Sequence, residues 1–318
     1  MGQAIALGED ARGQAAPNPN VGCIIVSSSD RVVGKGATVR GGRPHAEAVA
    51  LAEAGKRAAG ATVYVTLEPC AHESERGPAC TDLLLGARPD RVVIALKDPD
   101  KRTAGKGIRR LRRADIEVTL GIGRDAAKRS LSGWLTRLEL GRPRVTLKLA
   151  LSIDGKIALP SGESKWITGE DARRHVHVER ARSDMILVGR GTFLADQPNL
   201  DVRLPGLEER SPRRALLTRG APVDGWETLR NPKDVYRLHD VNDLLVEGGS
   251  ATATAFLSED LVDRLLIYRA PIIVGEGKSS FGYVGLDAIA AAHERWRLVD
   301  EQRLGIDRLE VYERQRRD

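Results

Sequence analysis

Three cysteines, two methionines and 4% aromatic residues are a thin supply for a chain of 318 residues. Each shortage excludes something. An odd, sparse set of cysteines cannot make a disulfide framework, and it fits a reducing compartment, so a cytoplasmic location is expected. So few aromatic rings leave no stacking surface for nucleic-acid bases. No run approaches the roughly 20 apolar residues that span a bilayer, and the opening MGQAIALGEDARGQ has neither a basic nor an apolar leader segment, so no membrane partner and no export are expected. Fifty Lys and Arg against 44 Asp and Glu give a net charge of only +6, without a block of like charge, and no nucleic-acid arm is indicated.

What is present suits two ordinary globular domains: 41% hydrophobic residues over a length near twice the usual domain size. In the first half VGCIIVSSSD and RVVGKGATV read as strands about a polar turn. PHAEAVALAEAGKRAA reads as a helix from Pro44, ATVYVTLEPC as a strand, TDLLLGA as a helix and RVVIAL as a strand buried on both faces. IRRLRRAD and IEVTLG add a helix and a strand. The alternation predicts a largely parallel sheet covered by helices. The pattern restarts near residue 143, giving domains 1–143 and 144–318. The second half carries strands at RVTLKLAL, SDMILVG, RRALLT, NDLLVEGG, DRLLIYRAPIIV and RLEVYER, with helices at GEDARRHVHVERARS and ATATAFLSEDL. Residues 218–242, with scattered Pro and Gly, resist a reading.

The chemistry of the first half lies in His45, Glu47, Cys70 and Cys80. One imidazole and two thiolates leave a tetrahedral zinc one position short, and that position suits a water in a catalytic site. Glu47 is then placed to shuttle protons rather than to bind metal, which is the pattern of zinc-dependent nucleobase deaminases. A structural zinc would instead need a fourth protein ligand, from His72 or Cys23; Cys23 lies within an apolar strand and reads as core.

Near the end of the first half GIGRDA (Gly121 to Ala126) fits a dinucleotide fingerprint, but helical sequence follows where a second strand should end in an acid, so no Rossmann fold is expected. GEGKSSFG (Gly275 to Gly282) has the wrong spacing and reads as a mobile loop. Glu247-Gly248-Gly249 ends a buried strand ahead of small hydroxylated residues that open a helix, which suits either a phosphate or an ordinary tight turn. His175 and His177, two apart on a helix, point different ways and make poor joint metal ligands.

PNPNVG (Pro17 to Gly22), GRPHAEAVAL, GATVYVTLEPCAH, GPACTDLLL, DPD…GKGI and nearly all of residues 145–203 resemble the bifunctional riboflavin-biosynthesis family that joins a pyrimidine deaminase to a pyrimidine reductase. The resemblance implies an N-terminal cytidine-deaminase-like three-layer αβα domain and a C-terminal dihydrofolate-reductase-like α/β domain using NADPH. It implies zinc on His45, Cys70 and Cys80, a proton shuttle at Glu47, and Asn20 and His72 near the substrate. It further implies cofactor contacts at Ala150, Trp166, Thr192, Asp196 and the loop Gly249, Ser250, Ala251, Thr252, Ala253, Thr254 and Ala255. Substrate ring and phosphate would meet Ser164, Arg180, Leu200, Arg203 and Glu247, with Lys148 and Asp154 in the same motif. The implied substrate is 2,5-diamino-6-ribosylamino-4(3H)-pyrimidinone 5′-phosphate, and the implied assembly a homo-oligomer, dimer or tetramer.

The chain departs from the family at the loop between the cysteines, AHESERGPA, one residue longer than usual and with Arg76 where a lysine is customary; Arg76 reads equally as a phosphate contact or a solvated charge. The stretch 218–242 looks abbreviated, with Arg219 a candidate for the cofactor's 2′-phosphate. Two rivals therefore stand beside the bifunctional reading: a deaminase whose second half no longer reduces, and a nucleic-acid base deaminase with an appended binding domain.

Overall fold

A computed structural model describes residues 1–72 and 76–316. The chain forms two compact units, Met1–Gly141 and Arg142–Asp318. No helix among the described residues is long and apolar enough to cross a membrane.

The first unit is built on a five-stranded sheet of β1 (Gly22–Val26), β2 (Val32–Ala37), β3 (Thr62–Leu67), β4 (Arg91–Leu96) and β5 (Glu117–Leu120), in the order β2-β1-β3-β4-β5. β3, β4 and β5 are parallel, but β1 runs antiparallel to both neighbours. The sheet expected to be largely parallel is parallel from β3 to β5 and antiparallel at β1. The polar turn Ser27–Asp30 is too short for a crossover, so the first two strands must form a hairpin.

Glycines decide how closely the helices sit. In β2, a Cβ on Gly34 or Gly36 would stand 2.2 Å from the Ala50 carbonyl or 2.1 Å from that of Ala46. The helix α2 (Ala46–Ala54) therefore lies directly on this strand through its buried Ala46, Ala50 and Ala54. Helix α1 (Gly2–Asp10) approaches Gly22 as closely, 1.8 Å from the Ala4 carbonyl to a Cβ there. Gly36 pairs with Cys23, the neighbour of Gly22, and side chains alternate along a strand, so α1 and α2 cover opposite faces. That is a three-layer αβα arrangement. Helices α3 (Cys80–Ala87), α4 (Lys106–Arg113), α5 (Arg124–Ser130) and α6 (Ser132–Leu140) complete the unit. Pro44 lies outside the helix expected to contain it: α2 begins after His45, and Gly55–Ala58 is a separate 3-10 turn.

The second unit carries an eight-stranded sheet, β10-β9-β8-β11-β6-β12-β15-β14. Its strands are β6 (Arg144–Leu151), β8 (Met185–Gly189), β9 (Arg213–Leu217), β10 (Glu227–Leu229), β11 (Asp243–Val246), β12 (Arg264–Arg269), β14 (Trp296–Leu304) and β15 (Asp307–Arg314); β7 (Lys156–Ala158) pairs with β13 (Lys278–Ser279) in a separate ribbon. GEGKSSFG, expected as a mobile loop, thus contributes a strand. β8 and β11 are buried along their whole length, as their unbroken apolar runs require. Helices α7 (Glu170–Ala181), α8 (Arg190–Asp196) and α9 (Ser250–Ser258) flank this sheet. The first residue of the unit is tied in by a buried bidentate pair, Arg142 to Asp263 at 2.7 and 3.0 Å.

Candidate active sites

His45 precedes α2, Glu47 lies in its first turn, Cys70 follows β3 and Cys80 opens α3. The close seat of α2 on β2 brings the first pair to the others. His45 Nδ1 stands 3.3 Å from Cys80 Sγ and 3.6 Å from Cys70 Sγ, and the three donor atoms lie within 4.8 Å of one another. Neither Cys23 nor His72 joins this group: Cys23 is fully buried in the core, and His72 Nδ1 faces Thr103 Oγ1 at 3.4 Å.

The Cys70 thiol is held down to about 4 by a hydrogen bond from Cys80 first, against its burial, and by His45 and the Cys80 amide, whose N–H donates to Cys70 Sγ at 3.2 Å. A nitrogen and two sulfurs, one of them so favoured as thiolate, fit zinc in both ligand type and spacing. Asn18, whose amide donates to the Gly42 carbonyl at 2.7 Å, lies 3.2 Å from His45 Nε2 and fixes the ring from its far side. Glu47 is 4% exposed, and burial pushes its pKa up, with the neighbouring His45 opposing.

A cavity of about 620 Å³ opens beside these donors, lined by Arg43, His45, Leu51, Arg76, Cys80 and Leu83 among others. Arg76 therefore borders the site, with Nη2 donating to the Gly41 carbonyl at 2.8 Å. Asn20 does not. Its amide is spent inside the fold, on the Gly8 carbonyl at 3.0 Å and on the Ser130 carbonyl and hydroxyl at 3.2 Å. The asparagine that reaches His45 is Asn18, two residues earlier in the same motif.

Glu68 was also missed. Buried just ahead of Pro69-Cys70, it accepts the N–H groups of Asp98, Gly105 and Ile108 at 3.3, 2.9 and 3.2 Å. It thereby holds the start of α4 to the end of β3, where a carboxylate also meets the helix dipole favourably. A buried acid beside a Pro-Cys pair was the available signal.

In the second unit, Glu247 at the end of β11 is gripped by Arg180 of α7, Nε to Oε1 at 2.7 Å and Nη2 to Oε2 at 3.0 Å, with Lys148 Nζ 3.8 Å from Oε2. Burial would raise the Glu247 pKa, but these cations bring it below its ordinary value. Burial lowers that of Lys148 against the attraction of Glu247. Arg180, expected to contact the substrate phosphate, is held by Glu247 and by the Asp201 carbonyl, to which Nη1 donates at 3.0 Å. Leu200 is likewise 4% exposed, packed with Ile186, Val188, Leu216 and Leu245, so its side chain is core.

The expected loop at Gly249 to Ala255 is the first two turns of α9, with Gly249 as N-cap and no side chain capping the end. Its leading N–H groups suit a diphosphate. Thr252 and Ala253 face inward; a Cβ on Gly248 would stand 2.4 Å from Thr252 Cβ. Thr254 accepts from Gly282 N–H at 2.7 Å, and Thr192 Oγ1 lies 3.8 Å from where a Gly249 Cβ would stand. Ser250, Ala251 and Ala255 share this helix, and Ala150 lies in β6. Asp196 pairs with Lys165 at 2.8 Å, Trp166 is 67% exposed with the Arg173 guanidinium 4.8 Å from its ring centre, and Ser164 and Arg203 are exposed. Asp154 accepts Val274 and Gly275 N–H at 3.1 and 2.8 Å, a turn-holding role.

Comparison with known proteins covers both units. Residues 1–96 match the family described as cytidine and deoxycytidylate deaminase zinc-binding region, and residues 143–226 and 232–308 match the RibD C-terminal domain. The riboflavin biosynthesis protein RibD of Escherichia coli is 38% identical over 341 aligned residues, covering 92% of this chain and 92% of that protein. Its counterpart in Mycobacterium tuberculosis is 40% identical, covering 97% and 95%. The solved diaminohydroxyphosphoribosylaminopyrimidine deaminase/5-amino-6-(5-phosphoribosylamino)uracil reductase of Thermotoga maritima superposes with a TM-score of 0.89 at 30% identity, over 99% of this chain and 97% of that one.

Proposed function

Because the chain belongs to the RibD family of riboflavin-biosynthesis proteins, we propose that it carries out two consecutive steps on one phosphorylated pyrimidine. The first unit replaces a ring amine of 2,5-diamino-6-ribosylamino-4(3H)-pyrimidinone 5′-phosphate by a carbonyl. The second reduces the ribosyl side chain to ribityl with NADPH. The observation that carries the reading is the meeting of His45 Nδ1, Cys70 Sγ and Cys80 Sγ beside the buried Glu47.

His45, Cys70 and Cys80 hold zinc, which when bound supplies the Lewis acidity that makes water a nucleophile near neutral pH. Glu47 takes the proton that the attacking water loses and hands it on to the ring and the departing amine, so that water and an amine leave as carbonyl and ammonia. Asn18 keeps the His45 ring in register, and Arg76 at the cavity edge suits the phosphate arm.

In the second unit the N-terminus of α9 receives the diphosphate of NADPH, which supplies the hydride. Arg203 offers an exposed guanidinium to the substrate phosphate. Glu247 is fixed by Arg180 where it can orient the ribosyl chain. Lys148 holds at Nζ a proton that burial makes easier to give up, which suits protonation of the side-chain nitrogen as hydride arrives.

The test gives zinc-quantified protein the diamino substrate with and without NADPH. Ammonia release without NADPH, followed by NADPH oxidation when it is added, is the expected result. Glu47→Gln is expected to keep its zinc and lose about 10²- to 10⁴-fold in ammonia release. Ammonia without any NADPH oxidation would leave a deaminase alone, and no ammonia from zinc-loaded protein would overturn the reading.

A further inference from the structure

The paired histidines of α7 take no part in the chemistry described so far, and the structure sends them to different places. His175 Nδ1 lies 2.8 Å from the hydroxyl of the fully buried Tyr268. His177 Nδ1 accepts the main-chain N–H of Arg203 at 3.3 Å. Three residues beyond His177, and so its neighbour on the helix surface, Arg180 donates from Nη1 to the Asp201 carbonyl at 3.0 Å.

Residues 200–203 are thus anchored one by one. Leu200 is buried in an apolar cluster, the Asp201 carbonyl is held by Arg180, Val202 N–H donates to Ser211 Oγ at 3.0 Å, and Arg203 N–H is held by His177. The Arg203 side chain itself is 66% exposed, with Nε 3.6 Å from Asp201 Oδ1. Its direction therefore depends on where its main chain is fixed, and the last point of fixation is an imidazole.

We infer that His177 is a positioning residue of the reductase unit: its Nδ1 fixes the Arg203 main chain and thereby aims that guanidinium at the phosphate of the substrate. This rests on the assignment of Arg203 to the phosphate made above. Only a neutral imidazole, with its proton on Nε2, can accept at Nδ1. The groups facing it are Arg180 on the same helix, Arg203 and the Asp201 carbonyl on the segment, and Glu247 at the end of β11. Burial foremost, then Arg180 and Arg203, outweigh the Asp201 carbonyl and Glu247, and lower the histidine's pKa. The ring is therefore neutral near pH 7.

Reductase kinetics on the full chain test this. His177→Asn places Oδ1 near the site of Nδ1, an acceptor that does not titrate; His177→Phe keeps a ring and removes the acceptor. The phenylalanine variant is expected to raise KM for the phosphorylated substrate about three- to tenfold, the size of one lost hydrogen bond, with kcat little changed. That effect disappears with the dephosphorylated substrate, and His177→Asn restores KM. In wild-type protein KM climbs as pH falls through the histidine range, whereas in His177→Asn it stays flat. An unchanged KM in His177→Phe, an equal effect without the phosphate, or an acid-side climb that persists in His177→Asn would each overturn the inference. Should His177→Phe not fold, the pH comparison of wild type with His177→Asn decides. Failure of the underlying assignment looks different: wild-type KM would then be the same with and without the phosphate.

Discussion

At the scale of single residues, Asn18 and Asn20 divide the work of one motif. One amide steadies His45, and the other closes three hydrogen bonds in the interior. Asn18→Ala is expected to weaken zinc binding about 10- to 100-fold in a chelator competition, the usual cost of removing a ligand's outer partner. Asn20→Ala should lower thermal stability by about 1–3 kcal/mol while leaving zinc content intact. Equal behaviour of the two variants would refute the division. Sequence reasoning grouped His45, Cys70 and Cys80 because their chemistry is itself the signal, and their donor atoms do lie together. It named Asn20 rather than Asn18 because both are equally polar, and only the bend of the backbone decides which one reaches His45. Arg180 shows a second blind spot: a guanidinium written in sequence does not disclose that a carboxylate 67 residues on holds it in place.

Asp98 supplies a prediction in pH. Burial, with Asp100 and Glu68 nearby, pushes its carboxyl up to about 6. The folded state then holds the proton more tightly than the unfolded chain, so proton uptake below about 6 stabilises the fold. Acidification from about pH 7 to about pH 5 should raise the melting temperature of wild-type protein relative to Asp98→Asn, whose amide does not titrate. A difference that stays constant across that range would remove this account.

Among the elements, β2 and α2 carry the greatest burden, because the strand's glycines set the height at which the helix delivers His45 and Glu47. Gly36→Ala drives a methyl into the Ala46 carbonyl, a main-chain atom that cannot step aside. A loss of about 1–3 kcal/mol together with reduced zinc stoichiometry is expected; calorimetry and metal analysis on the same sample check both. The strands with strong apolar runs, β4, β8 and β11, were legible because burial on both faces leaves no other composition. Strand β14 was not. WRLVDEQRL is exposed along nearly its whole length, so it lacks the alternation that betrays a half-buried strand, and only its pairing with β15 makes it one. Strand direction was equally hidden, as the antiparallel β1 shows.

For the molecule as a whole, each unit has its own apolar core, one around Ile25, Val65, Leu84 and Ile94, the other around Leu147, Leu187, Val246 and Phe256. The two activities should therefore part cleanly under substitution. Glu47→Gln is expected to retain NADPH oxidation on pre-deaminated substrate, and Glu247→Gln to retain ammonia release. Mixing the two purified variants should restore conversion of the diamino compound to the ribityl product, followed by chromatography of the reaction mixture. A mixture that stalls after ammonia release would mean that the intermediate does not pass between molecules.

The larger sheet ends at β14, where Arg297, Asp300, Glu301 and Arg303 stand in solvent. A terminal strand offers unpaired main-chain groups to any passing β-segment, and charges of both signs along it make such docking costly. The same polarity that conceals this strand from a reader of the sequence works against edge-to-edge pairing between copies.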